Sequence, residues 1–452
     1  MTTRIRYRPA ATRAALAPLL AMLAAAGCGR ADATPAETAG WGRAELVSQE
    51  TGNGATPSVF STAGGDRVLA WVAAPGGGEA GRLHVSVTPA GGAAPLPTTT
   101  IADPIGPISA HGEAPPQIAG DSAGRLYVMY SVGKVIPGRR FPASALRVVR
   151  SEDRGRTWSA PITINDTGEL GEFGGHNFHN LVTGPDGVVY ATWLDSRTGS
   201  SGVWMSRSRD GGRSWEPNRP IYTDPTCPCC RTAIAAGANG ELYVAWRAIL
   251  PGDVRDVVVM RSGDGGRTWD APVRPREDGW VFPGCPHAGP SLRLGPDGAV
   301  HVAWWTGKEQ EAGVYYARSV DRGRTWAAQP IGVGERSTPA HVQLAVLDSS
   351  RVLVAWDDGL SAMPRILVRR STDGRTFGAP EVLSDSGVAA TYPVPVVRGD
   401  SVTIAWSQMT EPAHREHLVE DAKMKDPKAA KGLPRVGQSE IFVRTGALLG
   451  AP

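Results

Sequence analysis

Ser262-Gly-Asp264-Gly-Gly266-Arg-Thr268-Trp269 is one of five segments of this 452-residue chain that share the pattern S-x-D-x-G-x-[ST]-[WF]. The others are Ser151-Glu-Asp153-Arg-Gly155-Arg-Thr157-Trp158, Ser208-Arg-Asp210-Gly-Gly212-Arg-Ser214-Trp215, Ser319-Val-Asp321-Arg-Gly323-Arg-Thr325-Trp326 and a copy one residue shorter, Ser371-Thr-Asp373-Gly-Arg-Thr376-Phe377. Each has the composition of a hairpin turn. Ser and Asp side chains satisfy the turn's N–H groups, Gly takes positive φ, and the aromatic ring is placed to wedge between neighbouring sheets. These Asp residues are read as structural.

Outward from the turns, strands ending in a small residue and an aromatic recur seven times, as Val68-Leu-Ala-Trp71, Tyr127-Val-Met-Tyr130, Tyr190-Ala-Thr-Trp193, Tyr243-Val-Ala-Trp246, His301-Val-Ala-Trp304, Leu353-Val-Ala-Trp356 and Thr403-Ile-Ala-Trp406. A period of roughly 50–60 residues suits a four-stranded blade. The chain is therefore expected to be all-β, a seven-bladed β-propeller over 41–446, followed by a 447–452 tail. Its last unit has inner strands around Tyr392 to Trp406 and a third at Ile441 to Arg444. The missing outer strand is expected from Trp41 to Glu50, so that both termini close the ring and leave no exposed edge.

The five turns resemble the Asp box (BNR repeat) of the sialidase-like β-propeller superfamily. Sialidases themselves have six blades, which stands as the alternative count. The resemblance implies an exo-glycosidase acting on sialylated or other acidic glycans, with an arginine triad on the sugar carboxylate, a Tyr nucleophile assisted by Glu, and an Asp acid/base. The first arginine of the triad is expected near Ala55 to Phe60, where this chain reads Ala55-Thr-Pro-Ser-Val-Phe60. The residues available for those roles are Arg231, Arg247 and Arg255 as clamp, Tyr392 as nucleophile, Glu113 as its partner and Asp195 as acid/base.

The first residues carry Arg4, Arg6, Arg8 and Arg13, then an apolar stretch from Ala14 to Ala26 and Gly27-Cys28. This reads as an export signal over 1–28 with a lipobox-like site, in which Cys28 becomes the lipidated N-terminus, or else as a plainly cleaved secretion signal. Residues 29–40 are small and polar, as in a flexible tether. The expectation is a monomeric periplasmic or cell-surface lipoprotein, attached to the membrane through that lipid. A formal net charge of +3, with no basic block interleaved with aromatics, argues against nucleic acid as a partner. The remaining candidates are a glycan or small ligand, or a periplasmic or surface protein.

Aligning four consecutive units on the turn glycines Gly124, Gly187, Gly240 and Gly298 places Glu113, His176, Cys229 and His287 in one register. Two residues earlier stand His111, Gly174, Cys227 and Cys285. These precede the innermost strands, on the face opposite the Asp boxes. Cys227-Pro-Cys229-Cys230 and Cys285-Pro-His287 leave three readings open. One is a disulfide staple, such as Cys227 to Cys285, in an exported protein. Another is a thiolate/imidazole site for a copper or zinc ion on Cys227, Cys229, Cys230, Cys285, His287, His176 and His111. A redox-active thiol pair is a third use of the same sulfurs. An insertion at 409–438, helical in pattern from Glu411 to Met424 and holding His414, Glu416 and His417, is placed to cover the channel.

Overall fold

The computed structural model describes residues 40–73, 81–138, 142–166, 173–333, 340–358, 363–410 and 439–447. Seven antiparallel sheets follow one another along the chain, spanning 55–101, 117–163, 176–222, 233–262, 291–333, 343–382 and 388–447. These are blades 1 to 7 of a β-propeller. In each, the small–aromatic strand is second from the centre, because its alternate residues face the sheets on either side. The indoles of Trp71, Trp193, Trp246, Trp304 and Trp406 are fully buried.

The apolar core is divided by the blade boundaries. Seven separate clusters of buried side chains form, one between each neighbouring pair of blades, including a cluster of Val59, Leu69 and Trp71 with Ala405, Ile441 and Val443 that joins blade 7 to blade 1. Each Asp-box aromatic packs on the cluster shared with the preceding blade: Trp158 on that of blades 1 and 2, Trp215 on 2 and 3, Trp269 on 3 and 4, Trp326 on 4 and 5, Phe377 on 5 and 6. The ring closes as the sequence requires. Glu45–Leu46 pairs with Ser439–Ala447 as the outermost strand of blade 7, and Trp41 bridges Gly446.

Two expectations are refined. Blade 4 has three strands instead of four, with a single bridge between Val259 and Val273 where the outer strand would lie. Pro272 and Pro275 flank that bridge and remove the N–H groups a longer ladder needs. The third strand of blade 7, expected at Ile441 to Arg444, runs from Ser439 to Ala447. Of the 409–438 insertion, Met409 and Thr410 finish the strand Ser401–Thr410. Its remainder lies outside the described residues, as do residues 1–39.

The Asp boxes share one network. In the first, Ser151 Oγ donates to Asp153 Oδ1 (2.8 Å) and accepts from Gly155 N (2.8 Å), while Asp153 accepts from Thr157 N (2.9 Å) and Thr157 Oγ1 (2.6 Å). The same bonds recur around Asp210, Asp264 and Asp321. The Thr157 and Thr325 donors hold the carboxyls of Asp153 and Asp321 down at about 2. A carboxyl shifted below its unfolded value near 3.9 contributes its full stabilisation above that pH and loses it as pH falls towards the folded value. Melting temperature should therefore drop between about pH 4 and 2, and calorimetry of a D153N/D321N double variant should show a smaller drop. A Tm unchanged to pH 2.5 in both proteins would contradict this role. Trp246→Ala, by contrast, should cost about 3–5 kcal/mol in denaturant titration at neutral pH, through the cavity left between blades 3 and 4.

Candidate functional site at the channel mouth

Antiparallel order within each blade puts the blade-to-blade connections on the face opposite the Asp-box turns. Glu113, on the connection into blade 2, is fully buried and ion-pairs with the guanidinium of Arg231 on the connection into blade 4. Its other oxygen accepts from Arg231 N (3.2 Å) and from Gly289 N (2.7 Å) on the connection into blade 5. Arg231 Nη2 donates to Val342 O (3.0 Å) at the entry to blade 6. A side chain at position 289 would strike the backbone of Arg231, so glycine is required for this approach. Four blades are thus tied together across the ring by one charge pair, whose burial is offset by three further hydrogen bonds.

Around this strut stand imidazole and phenol rings from other blades. His111 accepts from Glu113 N at Nδ1 (3.2 Å), which places its proton on Nε2. Desolvation, reinforced by the charge of nearby His287, pushes its pKa down to about 4, so it is neutral at physiological pH. The His111 ring lies 5.5 Å from that of the exposed His287 and meets Phe178 edge-on at 5.3 Å. His341 pairs with the buried carboxylate of Asp357 at 2.6 Å, and the backbone N–H groups of His341 and Tyr392 donate to the same carboxylate. Burial alone lowers the pKa of His341, but Asp357 and the more distant Glu113 outweigh it and hold it above its ordinary value. The Tyr392 ring lies tilted by 40° against His341, with centroids 3.9 Å apart, and fills the space that a side chain at Gly112 would take.

Cys227, Cys229 and Cys230 form a second constellation beside the first. All three are buried, with their sulfurs within 4.8 Å of one another. Cys227 Sγ is 3.5 Å from both Cys229 Sγ and Cys230 Sγ. Phe178 packs against them, so one ring touches the thiol cluster and His111 alike. The neighbouring thiols, and then the charge of Arg247, lower the pKa of Cys227, whereas that of Cys229 is raised, so one sulfur of the three carries the first negative charge.

The other residues expected at the site have different engagements. The four cysteines among the described residues are unbridged, and Cys285 is exposed while Cys227 faces Cys229 and Cys230, so the Cys227 to Cys285 staple is not the arrangement found. His176 is buried with Nδ1 on Asp195 (2.9 Å), outside the thiol cluster. Asp195 also takes Trp193 Nε1 and three N–H groups of Arg197, which leaves it a structural hub and no free acid. Arg247 gives its guanidinium to the carbonyls of Ala288, Arg255 and Trp305, and Arg255 gives its Nε to Phe282 O. With Arg231 held by Glu113, the three arginines are committed inside the blades and form no common clamp. His341 and Phe178 were not singled out from the sequence; only the position of His341 just before an innermost strand marked it.

Residues 100–278 match the BNR repeat-like domain family. That stretch is similar to the family, and the whole described fold is a seven-bladed β-propeller. No curated protein matches its sequence significantly. Among solved structures, this propeller is similar to a protein of unknown function from Dyadobacter fermentans, at 16% identity and TM-score 0.52 over 91% of this chain and 100% of the other. It is similar also to an ulvan lyase of polysaccharide lyase family 25, at 12% identity and TM-score 0.52 over 82% and 91%. A Trypanosoma rangeli sialidase aligns at 13% identity and TM-score 0.47 over 87% and 54%. At such identities the likeness to the first two establishes the fold alone.

Two outcomes follow from the strut and the dyad. Glu113→Gln leaves Arg231 buried without its counter-charge and should cost about 3–5 kcal/mol in denaturant titration. A loss under 1 kcal/mol would mean that the strut does not bear on stability. His341, its pKa raised in the folded protein, contributes stability fully present below about pH 6.5 and lost as pH rises through the folded value. Melting temperature should accordingly decline above pH 6.5 by an amount that His341→Gln abolishes; an equal decline in the variant would assign it elsewhere.

Proposed function

We propose that this propeller is an exported, lipid-anchored protein that holds a soft or borderline metal ion, copper or zinc, on Cys227, Cys229 and Cys230. The observation that carries this reading is the mutual approach of three buried sulfurs within 4.8 Å. Three sulfurs each about 2.3 Å from one ion stand about 4 Å apart, whereas a disulfide needs about 2 Å. Thiolates select copper(I) and zinc over hard cations, and the buried cation of Arg247 offsets part of their negative charge. Three adjacent thiols in an oxidising compartment would otherwise pair, and a bound ion keeps them reduced. The membrane is reached through a lipid on Cys28, and the mouth beside the thiols takes a small ligand, a glycan or a surface protein.

A second reading, a sialidase-like exo-glycosidase, is favoured by the Tyr392 ring lying against Gly112, next to Glu113. The engagements of Arg231, Arg247, Arg255 and Asp195 weigh against it. Release of fluorophore from an aryl sialoside, lost in Tyr392→Phe, is its assay.

Protein purified anaerobically should carry or take up one copper or zinc ion per chain by elemental analysis, and none in a C227S/C229S/C230S variant. Absence of stoichiometric binding to either ion, or intact mass spectrometry showing native disulfides among these residues, would end the metal reading. Cys28→Ala should move the protein from the membrane fraction to the soluble one; unchanged fractionation would remove the lipid anchor.

A further inference from the structure

Resting on the metal reading just given, we infer that Phe178 makes the thiol cluster a three-coordinate site that takes monovalent copper and rejects zinc. The argument turns on the fourth ligand. Zinc in a protein site binds four donors in a tetrahedron, while copper(I), a soft monovalent ion, is satisfied by thiolates alone at lower coordination. Cys227, Cys229 and Cys230 supply three sulfurs, and among the described residues no fourth His, Cys, Asp or Glu atom joins their group. The candidates for that place lie outside the group: no ring nitrogen of His176 or His111 is within 4.8 Å of all three sulfurs, and Cys285 is exposed apart from them.

Phe178 therefore occupies the approach by which an imidazole or a water would complete a tetrahedron. It packs against the cluster of Cys227, Cys229 and Cys230, residues that are 1%, 5% and 1% exposed. The backbone that places it there is a left-handed bulge that recurs at Thr56 in blade 1 and Tyr392 in blade 7. Phe178 has φ of 56°, a left-handed conformation that a bulky residue adopts only under constraint. It sits at a bulge of the strand His176–Thr183, where pairing with the next strand shifts between Asn177 and Asn180. The conformation is strapped from both sides. Phe178 N donates to Asn177 Oδ1 (2.8 Å), and Phe178 O accepts from Thr232 N (3.0 Å) and Thr232 Oγ1 (3.2 Å) on the neighbouring blade.

The test is competition. Wild-type protein, reduced and anaerobic, is titrated with copper(I) against a chelator of known affinity and separately with zinc. The expected result is one copper(I) per chain, not displaced by excess zinc, with X-ray absorption showing three sulfur scatterers and no nitrogen or oxygen. Phe178→Ala, which opens the approach to water and His111, and Phe178→His, which supplies the fourth donor directly, should each raise zinc affinity roughly 10–100-fold, the scale of changes around a metal's ligands. Phe178→Leu should behave as wild type. If neither ion binds wild type, the metal reading itself fails. If zinc binds as tightly as copper(I), or if folded Phe178→Ala and Phe178→His keep the wild-type preference, the inference about Phe178 fails and the metal reading stands. Should those variants not fold, a four-coordinate absorption spectrum of the wild type overturns the inference alone.

Discussion

Every blade of this propeller has two apolar faces, and neither can be buried within the blade itself. The fold therefore exists only as a closed set of interfaces, each with its own apolar cluster. The pairing of Glu45–Leu46 with Ser439–Ala447 is consequently a condition for all the others. The Asp boxes serve the same end on the outer rim. Their Ser and Asp networks fix the turns, and the turns deliver five aromatic rings to five of the interfaces.

Closure also brings residues far apart in the chain together at the channel mouth. Glu113 reaches Arg231 and Gly289, and Arg231 reaches Val342, so blades 2, 4, 5 and 6 share one hydrogen-bonded unit. The thiol cluster and the imidazole group both lean on that unit. Phe178 packs against the three cysteines and meets His111, whose Nδ1 is bonded to the N–H of Glu113 itself. Chemistry at the mouth and rigidity of the ring are thus carried by some of the same residues.

The architecture was legible because a repeat states the same physics seven times: an aromatic at the end of each second strand, preceded by a small residue in six of the seven. Where the repeat weakens, the reading weakens with it, as at blade 4, where Pro272 and Pro275 leave only one bridge of the fourth strand. The grouping of Cys227, Cys229 and Cys230 could be anticipated because they are close in sequence. Cys285 and His287 match them in register, but register does not set side-chain direction in a connection, and His287, at φ of 51°, is exposed. Glu113, available by type as the partner of a Tyr nucleophile, is an interior strut, since it binds the guanidinium and backbone N–H of Arg231 and the N–H of Gly289, groups of two other blades that no linear pattern reveals. The His341 to Asp357 pair escaped notice because it joins a connection to the far end of a neighbouring strand. Phe178 had no signal beyond its type; its importance comes from packing against the three cysteines and His111.

The seam that closes the ring has a mechanical meaning. The chain enters the described fold at Gly40, directly beside Trp41, whose bridge to Gly446 is the first contact of the closing strand. Tension on the upstream chain would act there first and would peel that strand bond by bond, instead of shearing it along its length. Trp41 is well placed to resist this. Its indole N–H donates to Glu381 of blade 6 at 2.9 Å, and Arg370 lies over its ring at 5.5 Å. One side chain thereby passes load from the seam into an adjacent blade before the ladder of blade 7 begins to open.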